Sequence, residues 1–246
     1  MPLIISPKTH SQIVKTIVDY FKASKSEANF WHSNFKDYFF KAKYHEKELF
    51  FLFTGYSELS VSCGIIHAYD KLLRKLDNDP RAIYIGSCFS TAQTEANLGD
   101  IIIPGSAVSD CTVSMDIAER TRKIKPDEDA WSFDEKMREK LKISARRRGI
   151  KVYEGKILCK ETYFEDFWFP FGEDWGYKEG YIAGEVEAAA FAISCHYIGI
   201  PGVALEWVKD KKREEYKIAS QEKKMEALKN ILVLIDDLLC DQKFET

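Results

Sequence analysis

The chain has 246 residues, of which 45% are hydrophobic and 13% aromatic, and a formal net charge of -3. That size suits a single domain over residues 1–246 with a sizeable buried core. The mixed charge argues against a basic nucleic-acid surface, and no apolar run reaches the length of a membrane span.

The opening Met1-Pro2-Leu3-Ile4-Ile5-Ser6 is too short to read as a signal peptide. The six cysteines, Cys63, Cys88, Cys111, Cys159, Cys195 and Cys240, are widely spaced. Several sit in apolar runs, where the thiol acts as a small hydrophobe. They read as reduced and point to a cytoplasmic protein. No zinc-ligand spacing occurs, so no metal is expected.

Leu3 to Ser6 reads as a buried strand, followed by a helix over His10 to Lys22 with Ile13, Ile17, Val18 and Phe21 on one face. Phe35 to Tyr44 and Leu49 to Thr54 read as strands, and Leu59 to Leu76 as a helix ended by Asp77-Asn78-Asp79-Pro80. Ala82 to Ile85 and Ile101 to Ile103 are short strands rich in β-branched residues. Arg120 to Asp129 is charged and reads as a mobile surface loop. Ser132 with Glu135 predicts a capping box for a helix ending at Arg146-Arg147-Arg148-Gly149.

Val152 to Cys159 reads as one strand, and the aromatic Glu165 to Gly180 as a lid, a subunit contact or a loop on its own core. Ala183 to Tyr197 predicts a helix, Gly202 to Val208 a strand, and Ser220 to Leu239 an amphipathic helix. Alternating strands and helices imply an α/β fold, with a central mixed twisted sheet flanked by helices on both faces. Ligands of such sheets bind beyond the carboxyl ends of the strands. Polar groups at Gly86-Ser87-Cys88, Glu185-Val186-Glu187 and Lys209-Asp210 follow apolar runs and suggest one cleft there.

Gly184-Glu185-Val186-Glu187-Ala188-Ala189-Ala190 resembles the helix start of purine nucleoside phosphorylases and of methylthioadenosine/S-adenosylhomocysteine nucleosidases. The likeness runs on through Gly199-Ile200-Pro201 to Asp210, where the family's strand ends in Ser-Asp. Upstream, Ile85-Gly86-Ser87-Cys88, Leu98-Gly99-Asp100-Ile101 and Glu161-Thr162-Tyr163-Phe164 are similar to the family's Gly-Ser/Thr loop, its Gly-Asp strand and its base-stacking position.

The resemblance implies a pocket for a purine nucleoside and cleavage of its N-glycosidic bond, with phosphate or water as acceptor, in purine salvage. Glu187 would accept hydrogen bonds from ribose hydroxyls, and Asp210 would protonate or hydrogen-bond the leaving base at N7. Tyr163 would stack on the base and Val186 would touch the apolar face of the sugar, with Glu185 and Phe164 also among the substrate-binding residues. Gly86, Ser87, Gly55 and Tyr84 would line the phosphate or nucleophile pocket. Each position also has a plain structural use: a dipole-favoured charge for Glu187, a capping or loop carboxylate for Asp210, core packing for Tyr163 and a tight turn at Gly86-Ser87.

No cofactor is implied beyond phosphate as a possible co-substrate. A homo-oligomer (dimer, trimer or hexamer) is expected, because members of the family complete their pockets from a neighbouring subunit.

The pattern departs from the family at the nucleophile. Tyr84 stands where hexameric phosphorylases carry a phosphate-binding Arg, and a phenol supplies no permanent positive charge. Ser57 and Glu58 replace the second glycine and the lysine of the turn after Gly55, and Phe89 replaces a glycine. Nucleosidases place an acid just after the first strand, whereas this chain reads Ser6-Pro7-Lys8-Thr9-His10, with His10 as a substitute base or a solvent-facing helix residue. Lys209, where the family has Ser, is placed to pair with Asp210. A second reading therefore stands beside the enzyme: a catalytically degenerate regulatory protein that binds a nucleoside or nucleotide in the same fold.

Overall fold

A computed structural model of the chain describes residues 2–7, 11–25, 39–44, 47–54, 58–69, 80–90, 94–109, 130–159, 180–212 and 216–240. The sheet is organised around β5 (Arg81–Ser90), which has the apolar run Ala82-Ile83-Tyr84-Ile85 at its start. Its first half pairs in parallel with β1 (Pro2–Pro7), and nearly its whole length pairs in parallel with β12 (Gly202–Lys212). Its last two residues pair antiparallel with β11 (Tyr181–Glu185).

From the start of β5 the sheet runs outward through β1, β4 (Lys47–Thr54), β3 (Phe39–Tyr44) and β2 (Ser24–Lys25). From its end, on the same edge, it runs through β11, β10 (Lys156–Cys159), β7 (Ser106–Ser109) and β8 (Trp131–Ser132). β12 branches to β13 (Tyr216–Ile218) and to β6 (Ile101–Ile102), which pairs β9 (Val152–Tyr153). Among the described residues 13 strands thus form one mixed sheet.

The central parallel strands are apolar at consecutive positions because both faces are covered. Leu3, Ile5, Leu52, Ala82, Tyr84, Ala204 and Val208 share one core with helices α2 (Glu58–Ala68) and α4 (Ala188–Ile198), through Val61, Ile65 and Phe191. Ile4, Phe51, Ile83, Ile85, Val203 and Leu205 share the other with α1 (Ser11–Phe21), α3 (Glu135–Arg148) and α5 (Gln221–Cys240). Helices on both faces of a mixed sheet match the predicted class.

Some predicted elements need correction. β5 runs on to Ser90, past the expected end at Ile85, because β12 accompanies it as far as Lys211. The single strand expected over Val152 to Cys159 is two, with different partners: β9 pairs β6, and β10 pairs β7 and β11. The helix expected from Ala183 begins at Ala188, because Ala183 to Glu185 are held in β11 against β10 and β5. Ser132 does not cap α3, since it lies in β8. Asp134 does, its carboxylate accepting from the Met137 amide at 2.8 Å. The C-cap is Gly149 in the left-handed region, at φ 67°, as the sequence predicts.

Among the described residues Cys88, Cys159, Cys195 and Cys240 are not joined in disulfides, and the first three are buried. Among the described residues no helix is long and apolar enough to cross a membrane. The expected loop at 120–129 and the aromatic stretch at 165–179 lie outside the described residues.

Replacing Asp134 by Ala removes the cap of α3 and should lower unfolding stability by about 1 kcal/mol. Urea unfolding followed by circular dichroism measures this; an unchanged midpoint would show that the cap is dispensable.

Candidate functional site

The carboxyl end of β5 brings the distant motifs together. Phe89 pairs with Gly184 of β11 on one edge and with Asp210 of β12 on the other. Neighbouring strands lie about 4.8 Å apart, so the ends of β11 and β12 flank this point at roughly 10 Å from each other. The register of β12 shifts between Val208 and Asp210, with Lys209 as the extra residue. Such a bulge re-aims the side chain beside it. Asp210 is fully buried and pairs with Lys209 at 3.3 Å, as its sequence position suggests. One residue further, buried Lys211 donates to the carbonyls of Thr94 (3.0 Å) and Ala96, tying the segment after β5 to β12.

Glu185 and Glu187 have different tasks although they are two residues apart. Glu185 closes β11. One of its oxygens accepts the amide protons of Glu187 (2.5 Å) and Ala188 (2.8 Å), and the other accepts the Cys159 thiol. It therefore serves the first turn of α4, where free amides and the helix dipole favour a carboxylate. The sequence reading placed Glu185 among the substrate-binding residues; in the structure its oxygens are held by the protein itself. Glu187 occupies the N-cap position of α4, but its side chain makes no capping bond. The dipole-charge use open to it in the sequence is filled by Glu185. Glu187 is only 5% exposed, and its Oε2 accepts from the Tyr84 hydroxyl at 3.3 Å. Val186, between the two, is half-buried.

Tyr84 reaches Glu187 because Gly86 lets it. A Cβ at Gly86 would stand 2.5 Å from the Tyr84 ring, so the phenol lies across the glycine. The ring also packs near Phe191 of α4, with centroids 5.5 Å apart. Burial, and then the acids Glu187, Glu185 and Glu206, push the Tyr84 hydroxyl well above its ordinary value, so it remains a donor. Position 84, which the resemblance assigns to the nucleophile pocket, thus holds a buried neutral ring. Ser87 follows the alternation of Ile83 and Ile85, on the sheet face opposite Tyr84 and Cys88. The structure does not bring it together with the carboxylates. Gly55, Tyr163, Phe164 and His10 lie outside the described residues.

Sequence reasoning missed Glu206. It lies in β12 opposite Gly86, between Ala204 and Val208, which belong to the same core as Tyr84. It is fully buried, and among the described residues neither oxygen has a partner at hydrogen-bond geometry, although the Cys88 thiol lies close enough to favour its charged form slightly. The nearby Cys88 thiol points instead to the Trp207 carbonyl at 3.6 Å. Burial, then Glu185 and Glu187, push the Glu206 carboxyl well above the usual range. The Cys88 thiol is raised by burial, Glu206, Glu185 and Asp210, which links the acids of β11 and β12 to one neighbourhood. The available signal was a single charge inside the otherwise apolar Val203-Ala204-Leu205-Glu206-Trp207-Val208. Among the described residues no group of three or more His, Cys, Asp and Glu side chains is arranged to hold a metal ion.

The model of the phosphorylase superfamily matches residues 18–239. A search of curated protein sequences finds no match. Among solved structures, the 5'-methylthioadenosine/S-adenosyl homocysteine nucleosidase of Campylobacter jejuni superposes with a TM-score of 0.72 at 18% identity, covering 97% of this chain and 98% of its own. The futalosine hydrolase of Helicobacter pylori gives 0.72 at 15%, covering 96% and 98%. The purine nucleoside phosphorylase of Toxoplasma gondii, in complex with immucillin-H, gives 0.71 at 14%, covering 96% and 88%. At these identities the likeness is one of fold.

Gly86→Ala should cost roughly 1–3 kcal/mol of stability, because the new methyl group must displace the Tyr84 ring. The cost should shrink in a Tyr84→Val background. A double-mutant cycle by urea unfolding measures the coupling, and strict additivity would disprove the contact.

Proposed function

Since the chain belongs to the phosphorylase superfamily, we propose that it binds a purine nucleoside and cleaves the N-glycosidic bond, passing the ribosyl group to phosphate or water. The observation that carries this reading is the pairing of Phe89 with Gly184 on one edge and Asp210 on the other. It sets the Glu187 end of β11 and the Asp210 end of β12 at a separation suited to a sugar joined to a base. The neighbours in fold are by name a nucleosidase, a hydrolase and a phosphorylase.

In this reading Glu187 accepts hydrogen bonds from the two ribose hydroxyls, steadied by the Tyr84 hydroxyl. Two adjacent donors suit the two oxygens of one carboxylate. Asp210 faces the base at N7 and protonates or hydrogen-bonds it as the glycosidic electron pair withdraws into the purine. Protonation there acts on the difficult step, the departure of an anionic base. As the bond stretches the sugar becomes oxocarbenium-like, and the buried acid at 187 stabilises the positive charge in a water-poor setting. Tyr163 is assigned to the base, Phe164 to the substrate and Val186 to the sugar by resemblance, as is the homo-oligomer that would complete the pocket.

One feature favours a second reading, a binding protein without turnover: the neutral ring of Tyr84 occupies the place of the phosphate-binding cation. The two separate in a single assay. The protein is incubated with adenosine, inosine, guanosine, uridine and methylthioadenosine, with and without phosphate, and free base is measured. Release from a purine nucleoside is expected. A nucleoside that raises the melting temperature yet is never cleaved establishes the binder.

Asp210→Asn should lower kcat by about 100-fold or more while nucleoside-induced thermal stabilisation persists. Glu187→Gln should weaken both binding and turnover. A wild-type rate from Asp210→Asn would remove this residue from the mechanism.

A further inference from the structure

A fully buried carboxyl with no hydrogen-bond partner is costly, and a strand this apolar would be more stable with a hydrophobic residue in its place. Among the described residues Glu206 is such a group, and neither the capping of α4 nor the pairing of β12 uses its side chain. Its surroundings suggest a task. Across β5 it meets Gly86, over which the Tyr84 ring leads to Glu187. On its own strand it stands four residues before Asp210. The acids that act on it, Glu185 and Glu187, come from the end of β11 and the start of α4.

The strand on the other side of β5 explains what is missing. β1 pairs Ile5 with Tyr84, so its end at Ser6-Pro7 stands level with Gly86 and Glu206, and it carries no acid. Glu206 supplies a carboxyl at that height, two strands away, or roughly 10 Å. The neighbouring acids Glu185, Glu187 and Glu206 disfavour an anionic co-substrate and admit a neutral one.

We propose that Glu206 is the general base that activates water, which makes the chain a nucleoside hydrolase rather than a phosphorylase. This rests on the cleavage reading above and names its acceptor. Ionised Glu206 takes one proton from water as the water oxygen bonds to the anomeric carbon. The carbon–nitrogen bond breaks with its electron pair on the base, which gains a proton through Asp210. Glu206 returns its proton to solvent, and an equivalent proton recharges Asp210, so the products are free ribose and neutral base.

The raised carboxyl gives the rate a sign: activity requires the ionised form and therefore increases with pH through the group's titration. The groups facing it are Glu185, Glu187, Tyr84 and Cys88, with Lys209 and Asp210 further along its own strand.

Base release from the nucleosides named above is measured without phosphate, across pH, for wild type, Glu206→Gln and Glu206→Met. Wild type should hydrolyse with a rate that climbs with pH. Glu206→Gln should lose about 100-fold or more in kcat and lose the climbing limb, with KM changed less than about threefold. Glu206→Met should be as inactive yet melt at a higher temperature. That gain should shrink on acidification, where the unfolded carboxyl is protonated too. A merely structural Glu206 would lower the melting temperature on replacement and leave the pH profile in place. Full turnover by Glu206→Gln, or base release only when phosphate is present, overturns the proposal and leaves the cleavage reading standing. No base release by wild type under either condition overturns both.

Discussion

The arrangement depends on β5 having three neighbours. A strand ordinarily offers its two edges to two partners, but β5 divides one edge between β1 at its start and β11 at its end, and gives the other to β12. This division brings parallel and antiparallel pairing into one sheet. It also decides which distant parts of the chain meet. The ends of β11 and β12 belong to motifs more than twenty residues apart, yet both are fixed to Phe89 by backbone hydrogen bonds that no side chain can easily alter.

On this frame the molecule tolerates an unusual density of buried acid. Each carboxyl is held differently. Glu185 is satisfied by amides of the first turn of α4, Asp210 pairs with Lys209, and Glu187 accepts from a tyrosine. Glu206 has none of these arrangements, and its charge is suppressed by burial and by its neighbours. Repulsion from Glu185 and Glu187 adds to burial in holding the Glu206 carboxyl above the usual range.

The α/β class, the helices on both faces and most elements were legible because apolar periodicity and glycine punctuation are local signals. Arg148-Gly149 marked the end of α3 for that reason. Boundaries failed where a partner strand decided them. Nothing local in Gly86-Ser87-Cys88-Phe89-Ser90 announces a strand; the extension of β12 alongside imposes it. Glu187 and Asp210 were legible from motif order. The opposite face of Ser87 was not, since a turn reading hides the two-residue alternation that a strand enforces. Glu206 was overlooked because a lone acid in an apolar run is absorbed into the pattern around it.

The ring lying on Gly86 also constrains any attempt to rebuild an anion pocket here. Exchanging Tyr84 for arginine would not by itself create one. The guanidinium would emerge beside Glu187 and within reach of Glu206's field, and those acids would capture it in a buried ion pair before any incoming phosphate could. A cation at 84 becomes available to a ligand only once the acids around it, Glu187 first among them, no longer hold it. Conversion from one acceptor chemistry to the other is therefore a two-step change whose order matters.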